Sequence, residues 1–387
     1  MMSKKRRLDL IREIEDKRNS YFFAYLLSDR LNASATFFPD IVREIYCLLR
    51  ELKPFEKKRG LDLFIYGEKG DHAVPWRIVT TIRELFNKFN VIIPYKAYGA
   101  ATMIALGADE IIMGEKGELS SIDISTAAQI PADTEPDERM PFDAGDVTAL
   151  IQLLERLGNI RQKQRVDALI HTLHQVSPLF LGRANRTLEQ TKAVCLRLLQ
   201  TRKKKFTKRT NADIIQRLFS EYLPPAHAIS ISEATKRLGL KQVRRAQHLE
   251  PTYWELLTDY EEELRMREPF CPEDVLDQSD EEEMTFRDHK LVYLETIKRS
   301  RFFQCDVRMR KLRQIPSNLQ FNPQVVLPAL QLPAQIEVNE QSVFDYVQTW
   351  LQSNLPHIIH DCFDEFRKEF PVHTYERLHL NKRWVDQ

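Results

Sequence analysis

The sequence has no excess of charge of either sign: 57 Lys and Arg stand against 56 Asp and Glu, for a formal net charge of +1. The molecule as a whole offers no field that would draw in nucleic acid or an anionic membrane, so any such binding must be local. Cysteine is scarce as well. The five cysteines (Cys47, Cys195, Cys271, Cys305, Cys362) are odd in number, far apart and without a CxxC pair. That argues against both a disulfide framework and a zinc knuckle, and it fits a reducing cytoplasm. Long apolar runs are missing: no stretch reaches the roughly 18 to 20 residues that span a bilayer. The basic N-terminus "MMSKKRRLDLIREIEDKR" is not followed by an apolar region, so a signal peptide is not expected. No internal repeat is found, and no cofactor is implied. These absences lead to the expectation of a soluble intracellular protein with no membrane span.

What is present is enough apolar material for a core. With 387 residues, 43% of them hydrophobic, the chain can bury the cores of two or three domains. Leu8 to Lys17 has apolar residues at helical spacing, and "YFFAYLLS" (Tyr21 to Ser28) is a continuous apolar run of strand length. "FPDIVREIYCLLRELK" reads as helix and "LDLFIYG" as a buried strand ending at Gly67. "VPWRIVTTIRELFNKF" is then helix, "VIIPYKA" strand, "AATMIALGA" helix and "EIIMG" strand. Strands alternating with helices predict βαβ units and a mostly parallel sheet, whose carboxyl ends carry the functional groups. Those ends are the turns at Gly67 to Asp71 and Lys96 to Ala100.

Composition shifts near Ile130, where "IPADTEPDERMPFDAGD" reads as a loop. From Val147 to about Leu240 the pattern is helical, with expected breaks at "SPLFLGRANR" and "LPPAHAIS". "DVLDQSDEEE" (Asp274 to Glu283) reads as an acidic linker. Residues 284–387 are mixed, with an amphipathic helix expected near Val343 to Phe370.

The order of strands, turns and helices, and above all "ATMIALGADEIIMG" followed by "GELSSIDIS", resembles the serine dehydrogenase proteinase family. That family sits with the signal-peptide-peptidase-like members of the Clp protease and crotonase superfamily. The likeness runs over roughly residues 5–250, including "LIREIEDKRNS", "VSPLFLGRANRT" and "ISISEATKRLGL", and is weak over 251–387. It implies an α/β fold: a Clp/crotonase-like core of repeated ββα/βαβ units over 1–165, a helical extension over 166–273 and a C-terminal mixed α/β accessory region over 284–387. It also implies a homo-oligomer, because βαβ units in the superfamily pack into dimers, trimers or larger rings. The helices "IVREIYCLL" and "WRIVTTIRELF" add a reason of their own, since their apolar faces look broader than one small sheet covers. The C-terminal region is the expected protein-partner surface.

In the family the turn before the "ATMIALG" helix carries a serine nucleophile, and helix amides there help hold the oxyanion. Here that position is Gly99, which has no side chain to attack with. The backbone amides of Gly99 and Ala100 remain as candidate anion donors. The oxyanion turn has also drifted: relatives carry two adjacent glycines, whereas Lys69 holds the first position here and Gly70 the second. The base in relatives is commonly a lysine some forty residues on, but Gln129 to Asp146 offers Arg139 and no lysine, and a guanidinium does not accept a proton. Ser120 and Ser121 stand where relatives tend to carry Gly-Pro, and Ile124 where they tend to carry Pro. Three separate departures read as natural decay, and the expected function is a family member that has lost proteolysis and serves as an oligomeric scaffold or partner-binding subunit.

Other readings stand beside this one. Ser120 or Ser121 is a candidate displaced nucleophile for an active serine peptidase, although a serine at such a boundary is more often a turn or cap residue. Glu68, Asp71 and His72 form either an acid/base group or a solvated turn. His357 and His360 share a helical face, but Asp361 and Cys362 complete no metal pattern. "TRKKKFTKRTN" gathers Arg202, Lys203, Lys204, Lys205, Lys208 and Arg209 around Phe206. That patch is a candidate for nucleic-acid contacts, or else a solvated helix end whose cations complement the dipole.

Overall fold

The computed structural model describes residues 4–52, 59–122, 178–220, 227–314 and 370–386, with isolated helical positions between 345 and 368. The chain divides into two compact units: Met1–Phe270 with His289–Gln304 and Lys382–Gln387, and Cys271–Asp288 with Cys305–Asn381.

In the first unit, α1 (Lys4–Arg18) leads into β1 (Ser20–Leu27), and β2 (Asp29–Arg30) and β3 (Ala33–Ser34) form a small ribbon. Next come α2 (Ile41–Glu51), β4 (Gly60–Tyr66), α3 (Val74–Leu85), β5 (Phe89–Ile93), β6 (Lys96–Ala97), α4 (Ala100–Leu106), β7 (Glu110–Met113) and β8 (Glu118–Ser120). After residue 177 follow α5 (Pro178–Gln200), α6 (Lys208–Ser220), β9 (Ala228–Ile229), a π-helical turn (Glu233–Arg237), β10 (Val243–Arg245) and α7 (Glu250–Glu263). The last elements are α8 (Pro272–Asp277), β11 (Glu283–Thr296), β12 (Ser300–Arg313) and β13 (Val372–Asp386).

The large sheet has the order β10-β7-β5-β4-β1-β11-β12-β13. From β10 to β1 every pairing is parallel, as the βαβ pattern predicts; β11 then lies antiparallel on β1, with Phe23 opposite Thr296 and Leu27 opposite Val292. Strands covered on both faces read as unbroken apolar runs, and every residue of β4 and β5 is buried. Alternate β1 residues serve opposite faces. Phe22, Ala24 and Leu26 join the cluster built by Leu10, Ile11 and Ile14 of α1 and by Tyr253, Leu256 and Tyr260 of α7.

Several expectations are corrected. "SPLFLGRANR" is not a break but the opening of α5. The acidic "linker" is α8 followed by the start of β11. The apolar faces of α2 and α3 are not left over, since Ile41, Ile45, Leu48 and Leu49 of α2 and Val74, Ile78, Val79 and Ile82 of α3 are all buried within the chain. Residues 178–270 and 289–304 share one compact unit with the parallel strands. Within the second unit, Tyr375 donates to Asp277 (2.5 Å), Asn381 to Asp306 (2.7 Å), and Cys305 Sγ lies 3.6 Å from His379 Nδ1. Among the described residues no helix is long and apolar enough to cross a membrane.

Candidate functional site

The carboxyl ends of β4 and β6 meet. Gly67 N–H donates to the Lys96 carbonyl (3.1 Å) and Tyr98 N–H to the Gly67 carbonyl (2.9 Å), which holds the two strand-end turns side by side. The second turn changes direction at Gly99, with φ +53° and ψ −110°, immediately before α4. This is the sharp strand-to-helix turn on which hydrolases of α/β folds raise a nucleophile.

Two groups crowd Gly99. A Cβ there would stand 2.8 Å from the Glu68 carbonyl oxygen of the first turn. The Gly99 N–H donates to Ser120 Oγ (2.9 Å). Ser120 arrives by the pairing of β8 with β6, Lys96 opposite Glu118 and Ala97 opposite Leu119. Its hydroxyl donates to the Ser121 carbonyl (2.6 Å), and its N–H donates to Thr102 Oγ1 (3.0 Å), whose own hydroxyl bonds the Ala97 carbonyl (2.6 Å). Ser120 is 1% exposed, and Ser121 is buried too. The Gly99 amide is thus spent on Ser120, while Ala100 opens a helix of only seven residues.

In the first turn the Lys69 carbonyl accepts from Phe37 N–H (2.8 Å), and the Lys69 side chain is exposed. Gly70 must be glycine, because a Cβ there would run into the Phe37 main chain. Glu68 and Asp71 part company: Asp71 Oδ1 accepts from Ala73 N–H at the entrance to α3 (2.8 Å), while Glu68 pairs with Lys96 (3.1 Å). Gln129 to Asp146, with Arg139, lies outside the described residues, as do Ile124, His360, Asp361 and Cys362; His357 is helical and exposed.

Beside these turns opens a cavity of about 500 Å³, lined by Asp29, Tyr66, Tyr95, Lys96, Glu118 and Trp254 among others. Its centre is Lys96, whose ammonium lies 3.1 Å from both Asp29 and Glu68 and 5.3 Å from the Tyr95 ring centroid. Tyr66 donates to Asp29 (2.6 Å) and Tyr98 to Glu118 (2.5 Å). Partial burial pulls Lys96 down, but the bonds to Asp29 and Glu68 outweigh it and push the pKa up to about 12. Burial raises both phenols, reinforced by Asp29 at Tyr66 and by Glu118 at Tyr98. All three groups hold their protons at neutral pH, so Lys96 serves the cavity as a donor and not as a base. The sequence reading missed this cluster. Its one signal was position: Asp29, Glu68 and Lys96 each follow or end a buried strand.

The basic segment lies at the opposite, amino ends of the strands. Arg202 turns inward: it is 3% exposed, its Nε donates to the Ala108 carbonyl (3.1 Å), and its guanidinium sits 4.1 Å from the Phe206 ring centroid. Lys203, Lys204 and Lys205 are exposed on the loop after α5, and Lys208 and Arg209 in the first turn of α6.

Residues 1–175 match the ClpP-like SDH-type serine proteinases, short of the reach to residue 250 expected from the sequence. An uncharacterized protein of Methanocaldococcus jannaschii is 29% identical over 122 residues, which make up 30% of this chain and 42% of that protein. The chain thus spans less than half the length of this relative. With its parallel sheet, its paired strand-end turns and its elbow at residue 99, the N-terminal part of the chain, residues 1–175, is similar to the ClpP-like SDH-type serine proteinases.

Proposed function

We propose that this chain is a non-proteolytic member of the family, one that keeps the Clp-like core as a binding and self-associating subunit. The observation that carries the reading is the closure of position 99. Where a nucleophile would begin there is a glycine, faced by the Glu68 carbonyl and bonded through its amide to Ser120. A carbonyl oxygen is an acceptor and repels a developing oxyanion instead of stabilising it. The reading with a displaced nucleophile fares worse, since the Ser120 hydroxyl is buried and already donates to a main-chain carbonyl. A nucleophile needs an adjacent base to take its proton.

Treatment of the purified protein with a fluorophosphonate probe, followed by mass spectrometry, tests the loss of proteolysis. No adduct is expected, and a stoichiometric adduct on Ser120, Ser121 or any other serine would overturn it. Self-association rests on the family, whose ClpP-like members are often oligomeric, and not on uncovered helix faces, which this chain buries. Sedimentation velocity at micromolar concentration should give a multiple of the 45.6 kDa chain mass. A single species at that mass would leave a monomeric binding protein. The cavity around Lys96 is the expected ligand site of this core, and residues 251–387 are the expected partner surface.

A further inference from the structure

Charge that balances over the whole chain does not balance locally. Residues 202–245 hold twelve Lys and Arg against three Asp and Glu, in a chain whose net charge is +1. The fold draws these cations to one edge of the large sheet, where β10 is the terminal strand. Lys203 N–H donates to Asp109 Oδ1 (2.8 Å) just before β7, and Ile111 N–H in β7 donates to the Gln242 carbonyl (3.0 Å) just before β10. The loop after α5 and the strand β10 therefore meet at the first residues of β7. Arg217 of α6 reaches the carbonyl of Arg237 in the π-helical turn and ties that segment in.

The backbone that carries the outward cations is held from beneath. Arg202 anchors the loop through the Ala108 carbonyl and the Phe206 ring, so Lys203, Lys204 and Lys205 project from fixed backbone. With Lys208 and Arg209, and with Lys241, Arg244 and Arg245 around β10, they are exposed and make no ion pair with a carboxylate among the described residues. A backbone already fixed spares the cost of ordering the loop when its cations meet a repeating line of charges.

We propose that this edge binds the phosphate backbone of duplex nucleic acid without sequence preference. Two features favour a duplex over other polyanions. Among the described residues the large exposed apolar side chains are Leu31, Tyr46, Trp254 and Val275, and the described part of 202–245 therefore offers none for insertion into a lipid interface. Phe206, the ring amid the lysines, is half-buried with one face on the Arg202 guanidinium, and the described residues of 202–245 hold no exposed aromatic ring of the kind on which single-strand binders stack bases. What is left is contact with phosphates, which positions a protein on a duplex but reads no bases. The site is separate from the Gly99 turn and independent of its chemistry.

Fluorescence anisotropy of the full chain with labelled DNA duplexes of two unrelated sequences tests this. Equal affinity for the two is expected, falling about 10²- to 10³-fold between 50 and 200 mM salt if about five phosphates are neutralised. The triple variant Lys203→Gln, Lys204→Gln, Lys205→Gln should lower the salt slope by about 3 while melting at the wild-type temperature. Lys5→Gln, exposed on α1, should change nothing. No binding at 50 mM salt, an unchanged slope in the triple variant, tighter binding to single strands, or displacement of duplex by phosphatidylserine vesicles would each overturn the proposal.

Discussion

Gly99 holds φ +53° and ψ −110°, with the Glu68 carbonyl 2.8 Å from where a Cβ would stand. A side chain there meets two costs, a backbone region that L-residues rarely adopt and a contact too close to keep. Gly99→Ala and Gly99→Ser should each lower stability by about 1–3 kcal/mol in urea denaturation. The serine variant should also fail to cleave casein, because general-base assistance is typically worth about 10²- to 10⁴-fold and Gln129 to Asp146, where the family resemblance puts the base, contains no lysine. Lys96 does not fill that role. Its pKa is raised above the value in an unfolded chain, so its stabilising contacts are fully present below pH 10.5 and are lost as pH rises through about 12. A Gly99→Ser protein as stable as wild type and active on casein would show that Glu68 can move aside and that a base exists. The glycine itself was plain in the sequence. What confronts it was not, because Glu68 and Ser120 reach it from two other strand ends.

Asp109, between α4 and β7, shows how one side chain can bind several elements together. It accepts from Arg83 of α3 (2.7 Å), from Phe89 N–H at the start of β5 (3.1 Å) and from Lys203 N–H after α5 (2.8 Å). Burial alone would raise its pKa, but the bonds from Arg83 and the two amides outweigh it and hold the carboxyl below its ordinary value. A depressed folded pKa gives stability that is present above the unfolded value of 3.8 and lost as pH falls through the folded one. Asp109→Asn should therefore cost about 1.5–3 kcal/mol at pH 7, and its difference from wild type should shrink below about pH 4. Chemical denaturation at pH 7 and pH 3 checks this; an unchanged difference would mean that the charge is immaterial. The elements Asp109 joins were legible from apolar periodicity, down to the small-residue helix α4. Two were misread for identifiable reasons. Pro178 opens α5 at a position whose N–H has no helical partner anyway, and a single glycine such as Gly182 costs a helix only about 1 kcal/mol, so neither residue breaks that helix. Glu273 and Asp274 lie in the first turn of α8, where acids favour the helix.

The whole first unit depends on a strand from far along the chain. β11 closes the edge of β1, and with it comes Glu295, which joins Asp259 and Glu263 of α7 around Arg7 of α1. Arg7 Nη1 lies 2.7 Å from Asp259 and Nε 3.2 Å from Glu295, all within the core, while Tyr260 donates to Glu295 (2.6 Å). Removing one member of such a buried set leaves uncompensated charge, which is strongly destabilising, and it also opens an apolar strand to pairing with other molecules. A chain ending at residue 282 should therefore be insoluble or melt without cooperativity. A soluble truncated protein with the melting temperature of the full chain would show instead that 289–304 is dispensable to the sheet.

The sequence by itself determined the alternation of strands and helices up to β7, the parallel sheet, the two strand-end turns and the absence of a hydroxyl at residue 99. These follow from periodicities of a few residues and from one missing side chain, and both are local. Tertiary structure alone decided that the Glu68 carbonyl and Ser120 close on Gly99, that Asp29 and Glu68 converge on Lys96, that Arg202 turns inward beneath exposed lysines, and that β11 completes the sheet. Each of these brings together groups from separate elements, and the choice among partners is made by burial and strand pairing over the whole molecule, which no local pattern records.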